Sequence, residues 1–503
     1  MGPTTNRRIR WLGGVLLVCF GLLFLQLNNF QIRQASALRD NPDNPSVTVS
    51  SYELPRGDIY SADGALLAYS KRTNDGFGEL RVYPEATATL FAGITGYESV
   101  AVEASTGLES EYTQFLEQHS SPTSTLGELL TEHETTDDIT LTVSVALQRV
   151  AAAALAGRTG AVVAIDPQTG AILAMYGNPT FNPNLFAVHS YDAVQRNYFK
   201  LVNSPGDPFI NYATGQAKAP GSTFKVIDTS AIYDMAPQME SRYFAPVPSV
   251  VLPETGGQTL SNFNGEYCGG YLPQILSFSC DTAYALVGES LGAEKLYRQA
   301  TAFGFDSVPP LDLPAGEVAA SNFPTPLDLV GDIPGLMKSA IGQENVTATT
   351  LQMALVAAGI ANNGVIMTPH LLDKVIDDQG NLVETYRPHP WRRATPVATA
   401  RAVRQLMLGV TETPGATAYG VFPSYEFPPV AAKTGTAQIF GQGCGTYNWL
   451  IATAPAGSGE TPTVAVAAIV PIPPGDACVD ATGAEIAGPV VRAVLAKALA
   501  MHL

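Results

Sequence analysis

Charge is scarce in this chain. Only 15% of its 503 residues are Asp, Glu, Lys or Arg, while 46% are hydrophobic. That balance excludes an intrinsically disordered polymer and describes a chain that packs. Positive charge is scarcer still, with 28 Lys and Arg against 45 Asp and Glu and a formal net charge of −17. An acidic balance of this size argues against nucleic acid or anionic lipid as the main partner, and a solvated acidic surface accounts for it. The six histidines show no metal-ligand spacing, so no metal or other cofactor is expected. No long internal repeat is present.

Cysteine is sparse. Cys19 lies in an apolar run, which leaves Cys268, Cys280, Cys444 and Cys478. An even number outside that run fits an oxidising compartment. More than one pairing is open to four cysteines, and nearness in sequence favours Cys268 with Cys280 and Cys444 with Cys478.

The apolar run is Trp11 to Leu27, preceded by Arg7, Arg8 and Arg10. It reads as a single-pass transmembrane helix with a cytoplasmic N-terminus and everything downstream outside the cell. Ala35-Ser36-Ala37 is similar to a signal-peptidase site, but it lies far beyond the run, so a retained anchor is expected. Either way the rest of the chain is exported. At this length the chain exceeds one ordinary core. The expected division is a cytoplasmic tail over 1–10, an anchor over 11–30, a β-rich pedestal over 31–157 and a second domain over 158–503.

Short alternating stretches (Val47 to Leu54, Gly57 to Tyr60, Leu66 to Tyr69, Leu80 to Tyr83) predict strands, with Asp63-Gly64 as a hairpin turn. Residues 111–135 are partly helical in pattern, Ile139 to Val143 predicts a strand, and Val145 to Leu155 a helix. The second domain opens with two apolar strands, Ala161 to Ile165 and Ala171 to Met175, joined by a tight turn. Helices follow, among them Leu351 to Ala361. Late strands are predicted over Val430 to Ile439, Asn448 to Thr453 and Thr463 to Val470, with a closing helix over Ala484 to Leu499. Strands at both ends with helices between predict an α+β domain: one antiparallel sheet with helices packed on it.

The chemistry gathers at Pro220-Gly221-Ser222-Thr223-Phe224-Lys225. Pro-Gly leaves Ser222 at the mouth of a helix, and Lys225, one turn on, shares its face. A serine hydroxyl needs a base to attack a carbonyl, and a lysine whose pKa is lowered by burial supplies one. Alone, such a short motif is as easily a helix cap beside a surface lysine. Here it is the only Ser-x-x-Lys in the chain, and two partners follow it: Ser279-Cys280-Asp281, and Lys433-Thr434-Gly435-Thr436. Gly435 lets another backbone approach the strand. Thr434 and Thr436 offer hydroxyls, and Lys433 offers positive charge to a substrate carboxylate. The set suits acyl transfer with proton shuttling.

These motifs in this order resemble the signature of penicillin-binding proteins and serine β-lactamases. Arg56-Gly57-Asp58-Ile59, Gly107-Leu108-Glu109, and Gly342-Gln343 with Leu351-Gln352-Met353-Ala354 extend the resemblance to class B penicillin-binding proteins. Within these it is closest to the actinobacterial A-type. The resemblance implies a transpeptidase fold with helices on both sides of the sheet. It also implies a peptidoglycan D,D-transpeptidase that crosslinks stem peptides through a Ser222 acyl-enzyme and is inhibited by β-lactams. Lys225 would take the Ser222 proton. Ser279 and Asp281 would relay protons, and Lys433, Thr434, Gly435 and Thr436 would hold the terminal carboxylate, with the N–H groups of Ser222 and Thr436 as oxyanion hole. Many relatives carry Asn where Asp281 stands; an ionised Asp only accepts. The implied partners are D-Ala-D-Ala stem peptides, β-lactams and, through the pedestal, membrane proteins of wall synthesis. A D,D-carboxypeptidase and a non-catalytic β-lactam sensor or scaffold are the competing functions.

Overall fold

The structure is a computed structural model that describes residues 3–28, 55–75, 78–120, 134–439, 444–475 and 481–502. It divides into two compact units, Met1–Pro55 with Lys71–Leu80, and Arg56–Ser70 with Arg81–Leu503. The predicted strand over Val47 to Leu54 lies outside the described residues.

Among its described residues the first unit holds one helix, Pro3–Asn28. Trp11, Leu17, Phe20 and Phe24 on it are exposed. Counted on the described residues, no helix is long and apolar enough to cross a membrane.

The second unit is organised by a five-stranded, wholly antiparallel sheet. Its spatial order is Ile172–Asn178, Gly160–Ile165, Val464–Gly475, Cys444–Ala454, Ala431–Ile439. The two expected hairpin strands and all three late strands are present, and the last two run longer than their apolar cores suggested. Every residue of Gly160–Ile165 is buried, because helices cover both faces. Alternation assigns the faces. Val162, Ala164, Leu450, Val464 and Val466 pack with Leu147, Leu155, Val490 and Val494 of helices Val145–Leu155 and Gly488–Ala500. Ala161, Val163, Ile451, Ala465 and Ala467 face the larger cluster that holds the wholly buried helix Thr350–Ala361. The helix expected over Ala484 to Leu499 is broken into Gly483–Ile486 and Gly488–Ala500, since Pro489 favours the first turn of a new helix.

A second sheet combines Ile59–Tyr60, Leu66–Arg72 and Asp138–Leu141 with Leu372–Ile376 and Leu382–Thr385 from much later in the chain. Asp63-Gly64 makes the hairpin turn as expected, with Gly64 at φ 74°. Asp63 does more: it accepts the backbone N–H groups of Val145 and Ala146, and so caps the helix that covers the main sheet. Glu109, fully buried, accepts from Arg56 Nε (3.2 Å), Arg81 Nε (2.6 Å) and Tyr83 Oη (3.0 Å). It is a structural hub. A Cβ on neighbouring Gly57 would lie 1.9 Å from the Asp137 carbonyl oxygen. That contact explains why Gly follows Arg56.

Candidate active site

Ser222 sits in a single 3₁₀ turn, Gly221–Phe224, which runs into the α-helix Lys225–Met235. Gly221 at φ 54° turns the chain inward, and a Cβ there would meet the Thr436 backbone at 2.9 Å. Three other contacts hold the turn. The Gly221 N–H donates to the Gly342 carbonyl at 2.9 Å. Trp449 Nε1 donates to the Ala219 carbonyl at 2.9 Å. Phe224 stacks on Phe323 with ring centroids 5.3 Å apart. Trp449, fully buried, is thus a packing residue. Gly342 has a backbone role: a Cβ on it would lie 2.1 Å from the Gly221 carbonyl oxygen.

The second segment enters on the N-terminus of helix Asp281–Leu291. Ser279 takes φ 58°, an unfavourable backbone for a non-glycine residue. The disulfide Cys268–Cys280 ties the residue between Ser279 and Asp281 to the strand Cys268–Gly270. This is the expected first pair, and Cys280 is structural. The second expected pair cannot be placed, since Cys478 lies outside the described residues.

The third segment is the edge strand Ala431–Ile439, against which the serine turn packs. A Cβ on Gly435 would lie 2.6 Å from the Pro220 carbonyl oxygen and 3.0 Å from Thr223 Cγ2. This is the close approach expected of that glycine. Thr436 Oγ1 accepts the Gly483 N–H at 3.0 Å. Thr434 Oγ1 donates to Thr417 Oγ1 at 2.8 Å, a partner with no signature in the sequence.

A continuous polar chain joins the three segments. Lys433 Nζ donates to Ser279 Oγ at 2.8 Å, and Lys225 Nζ reaches that oxygen at 3.3 Å and the Ser279 carbonyl at 2.8 Å. Lys225 Nζ also donates to Asp281 Oδ1 at 2.6 Å, and Ser222 Oγ donates to the same oxygen at 3.3 Å. Ser222 and Lys225 therefore meet through a carboxylate, where the helical spacing alone suggested a direct bond. Both lysine side chains are fully buried. Burial lowers the Lys225 pKa, against the opposing pull of Asp281. Burial, reinforced by the charge of Lys225, pushes Lys433 well below the ordinary lysine value. The arrangement stores one ion pair, Lys225 with Asp281, and one amine inclined to be neutral, beside a hydroxyl at a helix mouth. It can take a proton from that hydroxyl and pass it along. Among the described residues no cluster of His, Cys, Asp or Glu could hold a metal ion.

One buried acid was not singled out in the sequence. Asp228, one turn beyond Lys225, is wholly buried, and neither of its oxygens has a hydrogen-bond partner among the described residues. The signal was its i+3 spacing from Lys225.

Comparison with known proteins gives the same account. Residues 160–496 match the penicillin binding protein transpeptidase domain, and residues 56–137 the penicillin binding protein A dimerisation domain. Peptidoglycan D,D-transpeptidase PbpA of Mycolicibacterium smegmatis is 35% identical over 98% of this chain and 99% of its own length. The protein of the same name from Mycobacterium tuberculosis is 34% identical over the same shares. The structure of penicillin-binding protein A from M. tuberculosis as its ceftriaxone acyl-enzyme superposes with a TM-score of 0.77 at 32% identity, covering 90% of this chain and all of that one. The chain belongs to the penicillin-binding protein family, as a class B member of the penicillin-binding protein A type.

Proposed function

We propose that the protein crosslinks peptidoglycan as a D,D-transpeptidase, with Ser222 forming the acyl-enzyme. The observation that carries this is the single buried network joining Ser222, Lys225, Ser279, Asp281 and Lys433 from three distant segments. Ser222 Oγ attacks the carbonyl between the last two D-alanines of a stem peptide. Lys225 first hands the proton of its ion pair through Ser279 to the neutral Lys433 amine, and the Ser222 proton then passes to the neutral Lys225 amine as the C–O bond forms. The peptide C–N bond then breaks, and the proton travels through Ser279 to the departing D-alanine nitrogen. An amine of a neighbouring stem attacks the ester, gives its proton back through the same groups, and Ser222 is restored. Lys433, Thr434, Gly435 and Thr436 hold the terminal carboxylate, and the N–H groups of Ser222 and Thr436 polarise the carbonyl.

β-Lactams acylate Ser222 and stall there, a reading supported by the ceftriaxone, imipenem and penicillin G acyl-enzymes of the M. tuberculosis relative. Helix Pro3–Asn28 anchors the chain in the cell membrane as a single pass, with the catalytic domain outside. The length and apolarity of the described helix fall short of a full span; what supports the anchor is the apolar run Trp11 to Leu27, whose described side chains are exposed, the arginines at positions 7, 8 and 10 before that run, and a disulfide in the catalytic domain. In this reading the chain divides into a tail over 1–10, an anchor over 11–30, a pedestal over 31–157 and a transpeptidase domain over 158–503, which the family matches over 56–137 and 160–496 support, and the pedestal meets membrane proteins of wall synthesis.

Intact-mass measurement after incubation with penicillin G tests the acyl-enzyme. One adduct on the wild type and none on Ser222→Ala is expected. No adduct on a folded wild type leaves a scaffold. Product formed from a D-Ala-D-Ala peptide with water alone, and not with an added acceptor amine, leaves a carboxypeptidase.

A further inference from the structure

The helix that begins at Lys225 carries a buried acid that the mechanism above does not use. We propose that Asp228 is a positioning residue that sets the charge state of Lys225 by competing with it for one proton. The proposal rests on the acyl-enzyme reading of Ser222.

The geometry is specific. Lys225 and Asp228 stand at i and i+3 of one helix, on a shared face, and both are fully buried. Among the described residues neither Asp228 oxygen has a hydrogen-bond partner. An ionised carboxylate without donors is strongly disfavoured in such a place. Lys225 Nζ lies 5.3 Å above the ring of Tyr284, and the Tyr284 hydroxyl is engaged with Thr229 Oγ1 at 2.7 Å, so neither group solvates Asp228. Burial pushes the Asp228 carboxyl well above its ordinary range, with Lys225 the charge that opposes this.

Among the other titratable groups on this helix and the elements packed on it, Tyr233 is half-buried and Glu289 of Asp281–Leu291 is exposed. Asp234 of the same helix accepts from Thr395 and Thr399. On Ala293–Ala302, Arg298 reaches Met235 Sδ, Glu294 is exposed, and Lys295 and Tyr297 are half-buried. On Val397–Glu412, Arg401 and Arg404 donate to Asn363 and Ala361, and Glu412 is exposed. Asp281 acts on Lys225, and Lys225 in turn acts on Lys433. Asp228 is thus coupled to Lys225 and Tyr284.

The consequence concerns which group gives up a proton as pH rises. If Asp228 loses it, the new negative charge holds Lys225 protonated and unable to accept from Ser222. If Lys225 loses it, the base is ready. The two titrate as a coupled pair in two steps, and each step belongs to the pair rather than to either residue. Asn at position 228 removes the competitor, and Lys225 then becomes neutral at lower pH.

The test is the pH profile of acylation by a fluorescent penicillin, measured on the full chain for wild type, Asp228→Asn and Asp228→Leu. The rising limb moves to lower pH by about one unit in both variants, which is roughly a tenfold faster acylation at a fixed pH on that limb. Superimposable profiles overturn the proposal. A second measurement needs no variant: the ε-carbon of ¹³C-labelled Lys225 titrates in two steps in the wild type, and a single step overturns the proposal. A wild type that is not acylated at any pH overturns the reading of Ser222 instead, while the lysine titration still judges Asp228.

Discussion

Lys433 Nζ donates to Ser279 Oγ at 2.8 Å, joining the edge strand to a residue 154 positions earlier. The amine is fully buried, and a second buried lysine shares the same hydroxyl. A protein interior does not gather two amines around one serine for stability.

Replacing Lys433 with Met separates those two demands. In the unfolded chain the amine is protonated up to its ordinary value, while in the folded chain burial drives it well below. Between these two values the unfolded state binds more protons, so stability rises with pH across that window. Lys433→Met removes this cost. We expect a gain of about 1–4 kcal/mol near pH 7, shrinking toward pH 10, together with loss of acylation. Thermal unfolding at the two pH values, paired with penicillin labelling, decides it. A destabilised variant, or a gain that grows with pH, contradicts the buried-amine account.

Asp281 pulls Lys225 in the direction opposite to burial. Asp281→Asn keeps the shape and removes the charge. The Lys225 pKa then falls further, so the acidic limb of the acylation profile moves to lower pH by about one unit or more. Ser222 also keeps an acceptor in the amide oxygen. Stopped-flow acylation from pH 5 to 9 reports the limb. A limb that stays in place assigns the proton to some group other than Lys225.

Much of this was legible in the chain because it depends on local rules. Val162 and Ala164 against Ala161 and Val163 announce a strand covered on both faces, and the three motif segments carry their own spacing. Asp63-Gly64 was legible as a turn but not as the cap of helix Val145–Leu155, since a cap supplied from 82 residues away has no local pattern. Leu372–Ile376 and Leu382–Thr385 were missed because Leu382–Thr385 is exposed throughout and shows no apolar alternation. Thr417 was missed for a related reason: it reaches Thr434 from a loop. The direct Ser222–Lys225 bond was inferred from helical spacing. Ser222 lies in a 3₁₀ turn and Lys225 begins the α-helix, and Asp281 Oδ1 fills the space between them.

Gly435 is a spacing element. Gly435→Ala places a methyl 2.6 Å from the Pro220 carbonyl oxygen, a backbone atom that has no rotamer to yield. The strand and the serine turn must move apart by several tenths of an ångström, which carries Thr436 away from Ser222. We expect acylation to slow by about a hundredfold, the scale on which small misplacements of catalytic groups act. The fold survives, since the strand keeps its pairing with Cys444–Ala454. Acylation kinetics with a parallel melting curve test this. An unimpaired rate shows that the strand and the turn are not in register contact in solution.

The disulfide fixes the middle segment. Cys268 and Cys280 are 12 residues apart, and Cys280 stands between the two residues that touch Lys225. Ser279 holds a left-handed backbone that would relax if its neighbour were free. Closing a loop of this size constrains the unfolded chain by about 3 kcal/mol. Cys268→Ser with Cys280→Ser should therefore lower the melting temperature, and reduction of the wild type with dithiothreitol should do the same. It should also slow acylation by about tenfold, because Ser279 and Asp281 lose their fixed approach to Lys225. The two effects are separable: acylation measured well below the melting temperature reports the site alone. A lowered melting point with an unchanged acylation rate assigns the bond to stability only, and leaves the positive φ of Ser279 to be held by the Lys225–carbonyl contact at 2.8 Å.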